Sequence, residues 1–282
     1  MTPIITRTVE EARAHIQKAR LAGKKIGCVP TMGALHEGHA SLIRGARSEN
    51  EFVVVTVFVN PTQFGPQEDF SRYPRQLEAD CQIAGASGAE LVFAPSVEEM
   101  YPSGFSTSVD IQKLGDHLCG RSRPGHFRGV CTVVTKLLNI VRPDGSYFGQ
   151  KDAQQARIIQ QLASDLNLPG IIVVLPTYRE KDGLAMSSRN RYLSESERQE
   201  ALILIQSLRA GQELFARGER ETAKIRQLVR EQICQKPNIQ LDYVEVVDST
   251  DLQPVDRIQN KALLAVAAFV GKTRLIDNVF LL

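Results

Sequence analysis

Residues 52–59 read FVVVTVFV, and no other stretch narrows the fold as far. Apart from Thr56 the run is apolar, and most of it is β-branched. An unbroken run has no polar side to show to water. It suits a strand covered on both faces, the condition of a parallel sheet sandwiched by helices.

The flanking segments alternate in the way such a sheet requires. Thr8-Val9-Glu10-Glu11 is a capping box that opens a helix, and Gly23 ends it. KKIGCVP at 24–30 reads as a short strand, followed by a helix through Leu42, Ile43 and Ala46. A helix over 75–87 precedes a strand at 90–95, and a helix over 129–141 precedes SYFG at 146–149. A helix over 152–166 leads into IIVVLP at 171–176. Strand–helix alternation of this kind predicts an α/β fold, a Rossmann-like parallel sheet. In such sheets ligands sit beyond the carboxyl ends of the strands, where loops meet helix N-termini.

The texture changes after Pro176. Two amphipathic helices, 194–217 and 219–235, are followed by three strand-like runs at 241–248, 263–270 and 273–282. Short connections between these runs predict an antiparallel sheet. The expected organisation is a Rossmann-like N-terminal domain over 1–177 and a smaller α+β C-terminal domain over 178–282.

Bulk properties exclude several classes. The formal net charge is +2 with acids and bases interspersed, so nothing general attracts nucleic acid. Five scattered cysteines without a Cys-x-x-Cys pair fit free thiols in a reducing cytoplasm. The start, MTPIITRTVEEARAH, lacks the apolar core of a secretory leader. No run approaches the roughly 20 apolar residues of a membrane span. A soluble cytoplasmic protein with no membrane and no nucleic-acid partner is expected.

Four polar loops fall where strands end. The first, Thr31-Met32-Gly33-Ala34-Leu35-His36-Glu37-Gly38-His39, places two histidines three positions apart at a helix start. Imidazoles so placed share one face and can hydrogen-bond phosphate oxygens and stabilise a leaving pyrophosphate. A zinc protease would need His-Glu-x-x-His with a further ligand, and the spacing here is shorter. A solvated turn fits the stretch equally well when it is taken alone.

The second loop, Asn60-Pro61-Thr62-Gln63-Phe64, supplies two amides suited to hydroxyl or carboxylate groups, or simply ends a strand. The third, Gly149-Gln150-Lys151-Asp152-Ala153-Gln154-Gln155, offers a cation for phosphate and an acid for a ribose hydroxyl or a helix cap. The fourth, Met186-Ser187-Ser188-Arg189, combines hydroxyls with a guanidinium, as a mobile phosphate clamp or a polar linker would. No G-x-x-x-x-G-K-[ST], G-x-G-x-x-G or G-x-S-x-G pattern is present, and no cysteine stands in an obvious nucleophile context. The loops suit positioning and polarisation rather than nucleophilic attack by the protein.

Together PTMGALHEGH, FVNPTQF, RPGHFRGV, FGQKDAQQ and REKDGLAMSSRNRYLS, in this order along essentially the whole chain, resemble the pantoate–β-alanine ligase family. In that resemblance His36-x-Gly38-His39 is the HxGH phosphate motif of nucleotidylyltransferases, and MSSRN is the counterpart of the KMSKS loop. The resemblance implies ATP-dependent condensation of pantoate with β-alanine through a pantoyl adenylate, with Mg2+ accompanying ATP. It implies that Met32, Gly33, Ala34, Leu35, His36, Glu37, Gly38 and His39 line the ATP site, with His39 as acid and His36 its partner.

It further implies ATP contacts from Gly149, Gln150, Lys151, Asp152, Tyr178, Met186, Ser187, Ser188 and Arg189. Of these, Lys151, Ser187 and Arg189 would act on the phosphates. Gln63, Gln155 and Asn60 would bind pantoate, and Gln63 would also meet β-alanine. Asp80 would support the metal, Tyr73, Arg123 and His126 match pocket positions more loosely, and the chain would pair as a homodimer. Gln150 and Ala153 depart from the family's Glu and aromatic at those positions.

Two alternatives follow from the same motifs. One is another HxGH nucleotidylyltransferase acting on a phosphate acceptor, against which the uncharged amides Asn60, Gln63 and Gln155 argue. The other is a non-catalytic nucleotide-binding module, against which the histidine pair, Lys151 and Ser187-Ser188-Arg189 argue.

Overall fold

A computed structural model describes residues 2–66 and 68–282. The chain divides into two compact units. The first comprises residues 1–111, 123–149 and 158–176, and the second comprises 112–122, 150–157 and 177–282.

The first unit is built on six strands: β1 (Ile4–Thr6), β2 (Ile26–Thr31), β3 (Phe52–Val57), β4 (Leu91–Phe93), β5 (Gly145–Gly149) and β6 (Ile171–Leu175). They form one parallel sheet in the order β1-β4-β3-β2-β5-β6. As the continuous apolar run predicts, Val53, Val54, Val55 and Thr56 on β3 have no solvent exposure. The chain builds outward from β2 through β3 to β4 and then returns to β5 on the other side of β2. That reversal makes the carboxyl ends of β2 and β5 a topological switch point, where α/β sheets take their ligands. The loops leaving these two ends begin at Met32 and Gln150.

The helix Glu37–Glu49 seats Ile43 and Ala46 in a core with Val29, Val53, Val55 and Val92, while Arg44 on its outer face pairs with Glu37. The three-turn helix Val9–Leu21 carries the predicted capping box, with Glu11 N–H donating to Thr8 Oγ1 and Thr8 N–H to the Glu11 carboxylate.

The second unit holds an antiparallel sheet of β7 (Ile239–Asp248), β8 (Ala262–Val270) and β9 (Thr273–Leu281), in that order. Helices Ile203–Ala216 and Thr222–Cys234 cover it, with Leu204, Leu208, Ile225, Val229 and Ile233 packed on Val244, Val246, Leu264, Val266 and Ala268. Each of these side chains is buried, and burying one such aliphatic side chain contributes roughly 1.5–3 kcal/mol.

Several boundaries differ from expectation. The predicted helix 194–217 is interrupted at Leu202, giving Glu195–Ala201 and Ile203–Ala216. The connection between β7 and β8 runs over 249–261 and is not a short turn, whereas β8 and β9 are joined by Gly271-Lys272 alone. β6 lies at the sheet edge with Ile171 62% exposed, so it is less buried than its apolar composition suggests. The segment ahead of the first helix forms β1, paired with β4. No helix among the described residues is long and apolar enough to cross a membrane.

Candidate active site

In the first unit the loop after β2 is shaped by a buried carboxylate. Asp80, 1% exposed on the helix Leu77–Ala86, accepts the Ala34 N–H at Oδ2 (3.1 Å) and the Leu35 N–H at Oδ1 (2.7 Å). Gly33 and Ala34 both adopt positive φ, +82° and +51°. A Cβ on Gly33 would lie 2.9 Å from Asp80 Oδ2 and 3.0 Å from Val57 Cγ1, so backbone conformation and space both demand glycine there. Thr31 closes the turn, its hydroxyl donating to Thr56 O (2.6 Å) and accepting the Gly33 N–H (3.2 Å).

The loop delivers the two histidines in an unusual arrangement. His36 is the N-cap of the helix Glu37–Glu49, and its Nδ1 accepts the Gly38 N–H at 3.2 Å. The His36 N–H in turn points at His39 Nδ1 at 3.4 Å, and the two ring centroids are 4.1 Å apart. This is a capping box in which imidazoles replace the usual hydroxyl and carboxylate. Because both Nδ1 atoms accept, the proton of each neutral ring sits on Nε2. Each ring can therefore donate from Nε2 at a helix N-terminus, where the backbone dipole already favours an anion. Leu35 is buried, His36, Gly38 and His39 are half-buried, and Glu37 faces solvent.

The loop after β3 is held from three sides. Asn60, 1% exposed, accepts Thr62 Oγ1–H (2.9 Å) and Tyr101 O–H (2.8 Å) and donates to Gly129 O (3.1 Å) and Gln63 Oε1 (3.1 Å). Asn60, a candidate pantoate contact, thus spends its amide on the turn itself. Gln63 Nε2 lies 3.0 Å from Met32 Sδ, a weak acceptor that a better one can replace.

The Gln63 carbonyl accepts His126 Nδ1–H at 2.9 Å, His126 Nε2 accepts from Arg123 Nη1 at 3.0 Å, and Arg123 Nε donates to Glu68 Oε1 at 2.8 Å. His126 and Arg123 therefore orient the glutamine backbone. Phe64 stacks its edge against Tyr73, which is buried.

In the second unit Gln150-Lys151-Asp152 forms a tight turn ahead of the helix Ala153–Asp165, with Lys151 Nζ 3.5 Å from Asp152 Oδ2. Gln154 is buried and structural: it accepts the Cys119 N–H (2.9 Å) and donates to Leu114 O and His117 O (2.9 and 2.8 Å). Its neighbour Gln155 is half-buried.

The segment 178–186 is a small hairpin in which Met186 N–H donates to Tyr178 O and Glu180 N–H to Leu184 O. Tyr178 is 38% exposed. The hairpin ends in Met186-Ser187-Ser188-Arg189, where Ser187 Oγ caps a short turn by accepting the Arg189 N–H at 3.2 Å. Asn190 ties that turn back to Ala185 O and Glu180, and Glu180 and Asp182 share Arg198. Burial raises the Asp182 carboxyl, but the Leu184 N–H and Arg198 outweigh it and hold it below the usual carboxylate range.

Two contributors escape sequence reasoning: Tyr101, which steadies Asn60, and Gly129, which lets its helix touch the 61–63 turn and has a sequence signal only inside RPGHFRGV. Asp80, expected beside the metal, also shapes the histidine loop, a role the sequence does not show. Of the cysteines, Cys28, Cys81, Cys119 and Cys131 are buried and Cys234 is exposed; all are free thiols.

Comparison with known proteins places the chain as a whole in one family. The profile of the Pantoate-beta-alanine ligase family covers residues 4–280. The chain is 54% identical to the pantothenate synthetase of Pelotomaculum thermopropionicum over 278 residues, covering 99% of each protein. It is 54% identical to that of Thermotoga petrophila over 277 residues, 98% of this chain and 99% of the relative. The crystal structure of pantothenate synthetase from Thermus thermophilus superimposes with a TM-score of 0.93 at 43% identity over 98% of both chains. The pantoate–β-alanine ligase from Francisella tularensis, complexed with β-γ ATP and β-alanine, superimposes with a TM-score of 0.80 at 36% identity, over 98% of this chain and 97% of that one. With the family profile and these relatives each spanning nearly its whole length, the chain belongs to the pantoate–β-alanine ligase family.

Proposed function

We propose that this chain joins pantoate to β-alanine at the expense of ATP, forming pantothenate, AMP and pyrophosphate. Its similarity to relatives of that activity runs end to end, and this is the observation that carries the reading. The same similarity disfavours a nucleotidylyltransferase acting on a phosphate acceptor.

In the first step a pantoate carboxylate oxygen attacks the α-phosphorus of ATP. The new O–P bond replaces the bond to the β-phosphate, and pyrophosphate departs with the charge. His36 and His39 donate from Nε2 to the phosphate oxygens that gain this charge. Removing one such preorganised donor typically costs about 100-fold or more in turnover. Lys151 and Arg189 add positive charge, and Ser187 and Ser188 add hydroxyl donors. The backbone of residues 32–35 and of Gly149, the Gln150–Asp152 turn, Tyr178 and Met186 are assigned to ATP.

In the second step the free amine of β-alanine attacks the acyl carbon, and the C–O bond to AMP breaks as the C–N bond forms. AMP leaves with the bonding pair, and the proton shed by the nitrogen passes to solvent. Gln63 and Gln155 hold pantoate by their amides, Gln63 also meets β-alanine, and Asn60 serves by fixing the Gln63 turn. No protein nucleophile is required, because adenylation supplies the leaving group.

Mg2+ enters with ATP. Among the described residues no group of three or more His, Cys, Asp or Glu side chains is arranged to hold a metal. Asp80 gives one oxygen to each of two backbone N–H groups, so its support of the metal is exerted through the loop. We assign the ion to the triphosphate. A cytoplasmic homodimer completes the proposal, testable by light scattering.

The test is ATP–pyrophosphate exchange. It should require pantoate and proceed without β-alanine, and exchange independent of pantoate would refute the reading.

A further inference from the structure

One pair of adjacent residues on β9 holds both phosphate-directed segments of the second unit. Asp277, 3% exposed, takes Arg179 in a bidentate grip, Nη1 at 2.7 Å and Nη2 at 3.0 Å. Arg179 Nη1 also donates to Gly183 O at 3.2 Å, closing the hairpin from which Met186-Ser187-Ser188-Arg189 emerges. Asn278, 4% exposed, directs one amide nitrogen at two carbonyls, Gln150 O at 3.0 Å and Lys151 O at 2.9 Å. Its own oxygen faces Gln150 Nε2 at 3.4 Å, and its N–H donates to Asp277 Oδ1 at 2.8 Å.

The carbonyls that Asn278 holds are those of the residue before Lys151 and of Lys151 itself. A buried amide is a costly way to fill space unless its bonds are needed, since each buried donor without a partner destabilises the fold. A bidentate guanidinium–carboxylate pair fixes orientation as well as distance. The two grips share one rigid strand, so neither segment can shift without disturbing the other's anchor.

We infer that Asp277 and Asn278 are positioning residues that set the register between the Lys151 turn and the Ser187–Arg189 turn. This rests on the proposed role of Lys151 at the ATP phosphates. Both β9 side chains are buried and engage protein groups, so they act through the backbone of Lys151 and through Arg179.

The experiment measures pantoate-dependent ATP–pyrophosphate exchange in N278D, N278A, K151A and the K151A/N278D double variant, with thermal melts of each. N278D keeps shape and volume but turns an oxygen toward the two carbonyls. It should lower exchange turnover about 10- to 100-fold, the range of a catalytic group misplaced by about 1 Å, and leave the KM for pantoate within twofold. N278A should fall in the same range. In the K151A background N278D should add less than about threefold, because the group it positions is gone. Full activity in N278D, or a full additional loss in the double variant, overturns the inference while leaving the Lys151 reading intact. Full activity in K151A overturns that reading and this inference with it. A variant that unfolds at the assay temperature is replaced by D277N, whose loss must likewise spare the KM for pantoate; a rise in that KM overturns the inference.

Discussion

Replacing Gly129 by Ala sets two magnitudes against each other. The residue lies in the helix His126–Val141, where alanine is intrinsically better than glycine by about 1 kcal/mol. Propensity alone therefore predicts a more stable protein. The surroundings predict the reverse. A Cβ at Gly129 would stand 2.4 Å from Thr62 O, 2.6 Å from Thr62 C and 2.7 Å from Gln63 Cα, all of them backbone atoms. Ordinary contact begins near 3.4 Å, so helix and turn must part by about 1 Å, and overpacking of this kind costs about 1–3 kcal/mol.

Parting them also stretches the Asn60 amide bond to Gly129 O, which is 3.1 Å long. The net change in stability should be a loss of about 0–2 kcal/mol once the propensity gain is subtracted. Activity should suffer more. A 1 Å displacement of Gln63 should lower turnover about 100-fold and raise the KM for pantoate, with the KM for ATP little changed. Steady-state kinetics in both substrates, beside a urea melt, gives the answer. A stabilised Gly129→Ala protein with unaltered pantoate kinetics would refute the claim that this contact places Gln63.

Other consequences are simpler to test. Leu208→Ala, at a fully buried position in the second unit, should cost about 2–5 kcal/mol in a denaturant melt while leaving the KM values of the folded fraction unchanged. Under native conditions near pH 8 a thiol reagent should label Cys234 first. Burial pushes Cys28 and Cys131 up to about 12, so these should react only on unfolding. Burial, with the Glu49 carboxylate beside it, raises the Tyr147 hydroxyl from 10 to about 12. A group raised on folding contributes stability below its unfolded value and loses it as the pH climbs. Stability should therefore fall between about pH 10 and 12, and Tyr147→Phe should flatten that fall in alkaline melts.

The sheet centre was legible because burial on both faces leaves an unmistakable mark, as in Val53, Val54 and Val55. The edges were not. β1 spans three residues, with Ile4 and Ile5 more than two-fifths exposed, and owes its existence to pairing with Leu91–Phe93 far along the chain. The composition of Ile171–Leu175 is that of a central strand, and only topology places it at an edge. The histidine loop was legible as a helix start, yet its cap was not, because Ser, Thr, Asp and Asn are the usual capping residues. Asp80 showed the same limit. A carboxylate at 80 that grips the backbone at 34 and 35 is a tertiary fact, and the family resemblance implies only a metal role for that acid. Gly129 needs its missing side chain because of a turn 66 positions upstream, a distance no local pattern spans.

The central claim is that the pantoate carboxylate itself attacks the α-phosphorus, and oxygen labelling tests it most directly. Pantoate carrying 18O in both carboxylate oxygens should pass one label to AMP and keep the other in the amide carbonyl of pantothenate, as read by mass spectrometry of both products. Label appearing in pyrophosphate or inorganic phosphate, with none in AMP, would contradict the acyl adenylate and the roles assigned to His36, His39 and Lys151.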